Sequence, residues 1–126
     1  MSSLGSIIKT KRLEMGLTGS ELSRLSGVYP AVIYNLENDL KVPEKNRWLL
    51  VEILKVPFNS RLLSEKVREK REALGWSIAT LSKVTKVSTS VIYLLENNKK
   101  TPSLLLCYKL AKILKLTLED FIDTAP

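Results

Sequence analysis

Val32-Ile33-Tyr34-Asn35-Leu36-Glu37-Asn38 returns 59 residues later as Val91-Ile92-Tyr93-Leu94-Leu95-Glu96-Asn97. A fixed offset in a chain of 126 residues marks two copies of one structural unit. The match spreads outward from the heptad. Lys11-Arg12 pairs with Lys70-Arg71, Gly16 with Gly75, Leu22-Ser23 with Leu81-Ser82 and Val28 with Val87. Beyond the heptad, Lys41 pairs with Lys100 and Pro43 with Pro102. Residues 8–43 and 67–102 share 14 identities in 36 aligned positions. The expectation is a duplicated domain, divided as residues 1–59 and 60–126. Two copies suggest a task that needs two similar sites.

Composition removes several function classes. Histidine is absent, so no His general base, Ser-His triad or His-containing zinc site can form. The single cysteine, Cys107, excludes an internal disulfide and Cys-rich metal frameworks, and it fits a reducing compartment. The acidic residues read as helix caps and solvated faces. The expectation is a protein that is not an enzyme and takes no metal, cofactor or small-molecule ligand. No apolar run reaches the ~18 residues that a membrane span needs. Lys9, Lys11 and Arg12 interrupt any signal-peptide core at the N-terminus. A cytoplasmic location without membrane association is therefore expected.

The formal net charge is +7 and it is uneven. Residues 1–59 hold 8 Lys/Arg and 6 Asp/Glu, whereas residues 60–126 hold 12 and 7. A basic balance favours a polyanionic partner, nucleic acid before anionic membrane. Ordinary solvation accounts for such a charge equally well, so charge alone does not decide.

Apolar residues recur at three and four rather than at two, which predicts helices throughout. In the first copy, helix 1 spans about residues 4–15, capped by Ser2 or Ser3 and stopped by Gly16. Thr18-Gly19-Ser20-Glu21 is a capping box that opens helix 2, which ends near Ser26-Gly27. Pro30 suits the first turn of helix 3, where its missing N–H costs nothing. Asn38-Asp39 closes helix 3 and Pro43 opens helix 4. The second copy repeats this order. Helix 1 spans about residues 63–74, Gly75 ends it, Ser77 and Ser88 cap helices 2 and 3, and Pro102-Ser103 opens helix 4. A short fifth helix begins at Thr117-Leu118-Glu119-Asp120. By alignment with Leu116 onward, Val56-Pro57-Phe58-Asn59-Ser60 is expected to be a fifth helix running directly into helix 1 of copy two. The join has no Gly/Ser linker, so a stiff junction is expected.

Helix 2, a short turn and helix 3 span the length of a helix-turn-helix. Leu22, Val28, Ile33 and Leu36 form one buried face in copy one, as do Leu81, Val87, Ile92 and Leu95 in copy two. The opposite face of helix 3 is then free for a DNA groove.

Each copy resembles the Cro/lambda-repressor-like (Xre-type) helix-turn-helix domain. Copy two is nearer to the family pattern and copy one more divergent. The resemblance rests on Val67-Arg68-Glu69-Lys70-Arg71, Leu81-Ser82, Val87-Ser88-Thr89-Ser90-Val91-Ile92, Leu95-Glu96-Asn97, Lys100-Thr101-Pro102-Ser103 and Leu110-Ala111-Lys112-Ile113-Leu114. It covers residues 4–62 and 63–122. It implies an all-α protein of two tandem lambda-repressor-like domains, four to five helices each, that binds double-stranded DNA with helix 3 in the major groove.

Several roles follow from the resemblance. A structural ion pair joins helix 1 to the end of helix 3, here Arg12–Glu37 and Arg71–Glu96. Bases are read from Pro30, Ala31, Tyr34 and Asn35 in copy one and from Thr89, Ser90, Tyr93 and Leu94 in copy two. Tyr34 and Tyr93 fit packing against helix 2 equally well. Phosphate contacts come from the helix 2 N-termini at Thr18 and Ser77. Asn38, Lys41, Lys83, Lys86, Asn97, Lys99 and Lys100 are further phosphate candidates. The family often places a glutamine just after the helix 2 cap, where this chain has Gly19 or Ile78. Helix 3 carries no Arg or Gln in either copy, so the strongest guanine and adenine readers are missing.

Leu105, Leu106, Tyr108 and Trp48 are surplus to the small cores. They form either the packing between copies or a surface for self-association or another protein. Cys107 reads as a core filler. With no ligand or catalytic domain, the protein is expected to act by occupancy, as a transcriptional repressor or an accessory protein on a mobile element. The competing reading is a protein-interaction adaptor in which one or both helix-turn-helix domains have lost DNA binding, including the mixed case with copy two on DNA and copy one on a protein. RNA is a more distant third.

Overall fold

Local capping signals set the helix ends in the computed structural model, which describes residues 3–99 and 103–122. Among the described residues there are eight α-helices, one short 3₁₀ turn and no strand. The chain divides into two compact units, one running to Pro57 and including Ile122, the other spanning Phe58–Phe121.

The first unit holds α1 (Leu4–Glu14), α2 (Gly19–Ser26), α3 (Pro30–Glu37) and α4 (Glu44–Ile53). Ser3 caps α1, its hydroxyl accepting from the Ser6 N–H at 3.1 Å. Gly16 takes φ +70°, so the Leu17 N–H can reach back to the Arg12 carbonyl at 3.0 Å. That bond occupies a carbonyl the helix end would otherwise leave open. Thr18 and Glu21 form the capping box in both directions, at 3.1 and 3.0 Å. The Thr18 backbone N–H and then its side chain, both bonded to the carboxylate, hold Glu21 below the usual carboxylate range. Pro30 is the first residue of α3. α3 packs against α1 and α2, and α4 against α2. Leu4, Ile8, Leu22, Val28, Ile33 and Leu36 are buried. Burying each leucine or isoleucine contributes about 1.5–3 kcal/mol.

Gly5 permits the close approach of α1 to the end of α3. A Cβ there would overlap the Leu36 carbonyl oxygen and lie 2.7 Å from Asp39 Oδ1. The Asp39 carboxylate thus lies beside the first turn of α1, where the helix dipole favours negative charge.

The second unit holds α5 (Ser60–Ala73), α6 (Ile78–Thr85), α7 (Thr89–Glu96), α8 (Leu104–Leu114) and the 3₁₀ turn (Leu118–Phe121). Both ends of α6 and α7 stand 59 residues after those of α2 and α3. Asn59, Ser77, Ser88 and Ser103 cap the four helices through their side chains. α7 packs against α5 and α6, and α8 against the same two. Leu63, Val67, Leu81, Val87, Ile92 and Leu95 are buried, with Cys107, Leu110, Ala111 and Leu114 along one stripe of α8.

Two expectations are corrected. Val56–Asn59 does not form a helix. Phe58 is extended, the Asn59 N–H donates to the Phe121 carbonyl at 2.7 Å, and the Asn59 side chain caps α5. Pro57 also steers Val56 away from helical backbone. Second, Trp48 is fully buried and is not a surface for another chain. It shares its α4 face with Val51 and Leu54, three and six residues on, and both are buried. Leu105, Leu106 and Tyr108 are half-buried.

Candidate nucleic-acid interface

The orientation of each third helix depends on a forked ion pair. Arg12 Nε donates to Glu37 Oε2 at 2.7 Å and Nη2 to Oε1 at 3.0 Å, while Nη1 reaches the Leu17 carbonyl at 2.8 Å. Arg71 repeats this on Glu96 at 2.7 and 2.8 Å, with Nη1 on the Trp76 carbonyl at 2.7 Å. The side chains are 12% and 8% exposed in the first pair, 12% and 1% in the second. Hydrogen bonding to the carboxylate raises both arginines above their ordinary value, outweighing the opposing effect of burial. A bidentate pair in this setting fixes geometry more than it adds net stability. It ties the first helix of each unit to the last turn of the third.

The turn before the third helix has its own polar device, which sequence reading missed. The Ser26 hydroxyl accepts from the Val28 N–H at 3.1 Å, and the Thr85 hydroxyl from the Val87 N–H at 3.3 Å. Thr85 also donates to the Leu81 carbonyl at 2.7 Å. In both units the hydroxyl residue is followed directly by a left-handed residue, which only the glycine of the first unit signals in sequence. That residue is Gly27 (φ +76°) in one unit and Lys86 (φ +62°) in the other.

α7 presents Thr89 and Ser90 exposed in its first turn, with Tyr93 55% exposed and Leu94 half-buried. Thr89, Ser90, Tyr93 and Leu94 line one open hollow of about 500 Å³ together with Ile78, the first residue of α6. The structure therefore brings the four base-reading candidates of this unit together. It adds Ile78, which sequence reading had noted only as a missing glutamine. On α3, Pro30 and Ala31 are exposed, Tyr34 is 65% exposed and Asn35 is half-buried. Tyr34 and Tyr93 thus each keep more than half of their surface open to solvent.

The phosphate candidates are placed as follows. Thr18 and Ser77 are exposed and already cap α2 and α6; Ser77 accepts from the Thr80 N–H at 3.1 Å. Asn38 and Asn97 each spend one amide N–H on the carbonyl four residues back, at 2.8 Å. Lys41, Lys83, Lys86 and Lys99 are exposed. Lys100 lies outside the described residues. After α3 the chain reads Asp39-Leu40, whereas after α7 it reads Asn98-Lys99. The second unit therefore offers a cation where the first offers an acid and an apolar side chain.

A short helix, a tight turn and a second helix with an exposed N-terminal face, braced by the helix before them, define a helix-turn-helix. Residues 67–121 match a family model described as helix-turn-helix. That family binds DNA and is not catalytic, and the match supports a DNA-binding regulator of the Xre type. The chain matches no curated protein and no solved structure. Among the described residues, no helix is long and apolar enough to cross a membrane.

Proposed function

We propose that this chain is a double-stranded DNA-binding protein built from two copies of one helix-turn-helix domain, acting by occupancy as a repressor or as an accessory protein of a mobile element. The observation that carries it is the uncharged, exposed N-terminal face of α7 beside the capped N-terminus of α6, in the unit that matches the family. α7 lies in the major groove, with Thr89, Ser90, Tyr93 and Leu94 toward base edges. The α6 N-terminus at Ser77, with Lys83, Lys86, Asn97, Lys99 and Lys100, meets phosphate. Support for a second copy comes from the shared offset of helices and identities and from the repeated arginine–glutamate fork. In that copy Pro30, Ala31, Tyr34 and Asn35 read bases, and Thr18, Asn38 and Lys41 touch phosphate. The target is then asymmetric, with the second unit as the stronger half. The location is cytoplasmic, and no cofactor is required.

A second reading has one observation in its favour. The first unit exposes Leu25, Tyr29 and Tyr34 near a helix followed by Asp39, a surface more apolar and acidic than a phosphate backbone prefers. That unit then holds a protein while the second unit holds DNA. Duplex binding by four variants separates the readings. Thr89→Ala/Ser90→Ala and Lys83→Glu/Lys99→Glu are expected to weaken binding strongly. Tyr34→Ala and Asn35→Ala weaken it too if both units read DNA, and leave it unchanged if the first unit is an adaptor. Full binding by the first two variants contradicts the proposal.

A further inference from the structure

We propose that the second unit reads pyrimidine 5-methyl groups, those of thymine or of 5-methylcytosine, through the hollow that Ile78, Tyr93 and Leu94 form beside Thr89 and Ser90. The inference rests on the DNA-binding reading above and adds what the site recognises. The hollow of about 500 Å³ opens on the N-terminal face of α7. Its lining holds two hydroxyls, a phenol and two aliphatic side chains, with no charge and no amide. Such a surface lacks the paired donors and acceptors that separate guanine from adenine, because bidentate recognition of either purine takes Arg, Lys, Asn or Gln. One apolar feature exists on a base-pair edge in the major groove, the 5-methyl group of thymine. Ile78 and Leu94 are both half-buried, so each keeps part of its aliphatic surface available to cover a methyl.

Position favours the same chemistry. Ile78 directly follows Ser77, whose place at a helix N-terminus suits phosphate. The pyrimidine 5-position is the base edge closest to its own backbone in the major groove, so an aliphatic side chain next to a phosphate contact is well placed for it. The first unit lacks this surface. Gly19 stands where Ile78 stands, and Asn35 stands where Leu94 stands. Asn35 is a bidentate adenine reader by type. The two units therefore recognise different groups, methyl in one and the adenine edge in the other. 5-Methylcytosine places the same methyl at the same point on a G·C pair, so it is recognised as thymine is.

The test uses the full chain and fluorescence anisotropy on a mixed-sequence duplex pool prepared in four forms. One carries thymine, one carries deoxyuridine at every thymine, and a G·C-rich pair carries cytosine or 5-methylcytosine. Each methyl covered is expected to change affinity about fourfold, and two about fifteenfold, from the transfer of one carbon out of water. Deoxyuridine lowers affinity and 5-methylcytosine raises it. Ile78→Ala and Leu94→Asn, which copies the residue of the first unit, abolish the ratio between the thymine and deoxyuridine pools, whatever each does to overall affinity. A response to both assigns the site to the methyl group itself, and a response to thymine alone overturns the claim for 5-methylcytosine. Equal affinity for thymine and deoxyuridine pools overturns the inference and leaves DNA binding intact. An equal preference in wild type and both variants also overturns it, because the methyl then acts through duplex shape. Failure to bind any pool overturns the DNA-binding reading as well.

Discussion

Arg71→Ala removes the guanidinium that fills both oxygens of Glu96. The Glu96 side chain is 1% exposed, so its carboxylate depends on Arg71 rather than on water for its charge partner. Three hydrogen bonds disappear together, two to Glu96 and one to the Trp76 carbonyl. A buried charge stranded this way costs about 3–5 kcal/mol. A unit the size of Phe58–Phe121 has a total stability of about 3–10 kcal/mol. The variant therefore removes about a third or more of the second unit's stability. Glu96→Ala strands the arginine instead, which is 12% exposed and can turn toward solvent, so its cost is lower, about 2–3 kcal/mol. Arg71→Met/Glu96→Met removes both charges and is expected to regain most of the loss. The assay is a urea titration followed by the two indole N–H resonances in NMR spectra. Trp48 lies in the first unit and Trp76 in the second, so each unit has its own reporter. Two results refute the reasoning. One is an Arg71→Ala variant within about 1 kcal/mol of wild type, the value of an exposed pair. The other is a double methionine variant as damaged as the single alanine.

Gly5→Ala forces a methyl into the Leu36 carbonyl, and is expected to destabilise the first unit by about 1–3 kcal/mol or more, read from the Trp48 reporter. Gly75→Ala meets no neighbour within 4 Å but must hold φ +72°, so it costs about 1–2 kcal/mol at the Trp76 reporter by backbone strain alone. Glu21 is held below its ordinary value by Thr18, so it stabilises α2 above the carboxylate range and loses that effect as pH falls through its folded value. Melting curves of wild type and Glu21→Gln should therefore differ near neutrality and converge in acid; a gap that persists in acid contradicts the assignment. Arg71 carries the opposite sign. Its raised value means its contribution is complete below the ordinary arginine range, so mild acid does not discharge it.

The parts of the fold legible in sequence are those set by local chemistry. The capping box at Thr18, the proline at the start of α3 and the glycines after α1 and α5 each act within a few residues, and the helices begin and end where these signals fall. The repeat transfers the same bounds from α2 and α3 to α6 and α7. What stayed hidden depends on distant chain. The extended join at Phe58 is held by the Phe121 carbonyl, more than sixty residues away in sequence, and no local pattern signals it. The need for glycine at position 5 comes from a carbonyl on α3. Trp48 looks too large for a core this small, but α4 turns Trp48, Val51 and Leu54 inward together. At the candidate interface, spacing places Thr89, Ser90, Tyr93 and Leu94 on one face of one helix. The wall that Ile78 adds comes from α6 crossing beside α7, a tertiary fact.

If the basic second unit holds duplex DNA, its affinity must fall with salt. Anisotropy of a labelled mixed-sequence duplex is followed from low to physiological salt. Lys83, Lys86 and Lys99 alone predict that log K falls linearly with log salt at a slope of about −3, from about 0.9 per phosphate neutralised. Lys83→Glu/Lys99→Glu should flatten that slope by about 2. No binding even at low salt, or binding indifferent to salt, would contradict the account and point to a protein partner instead.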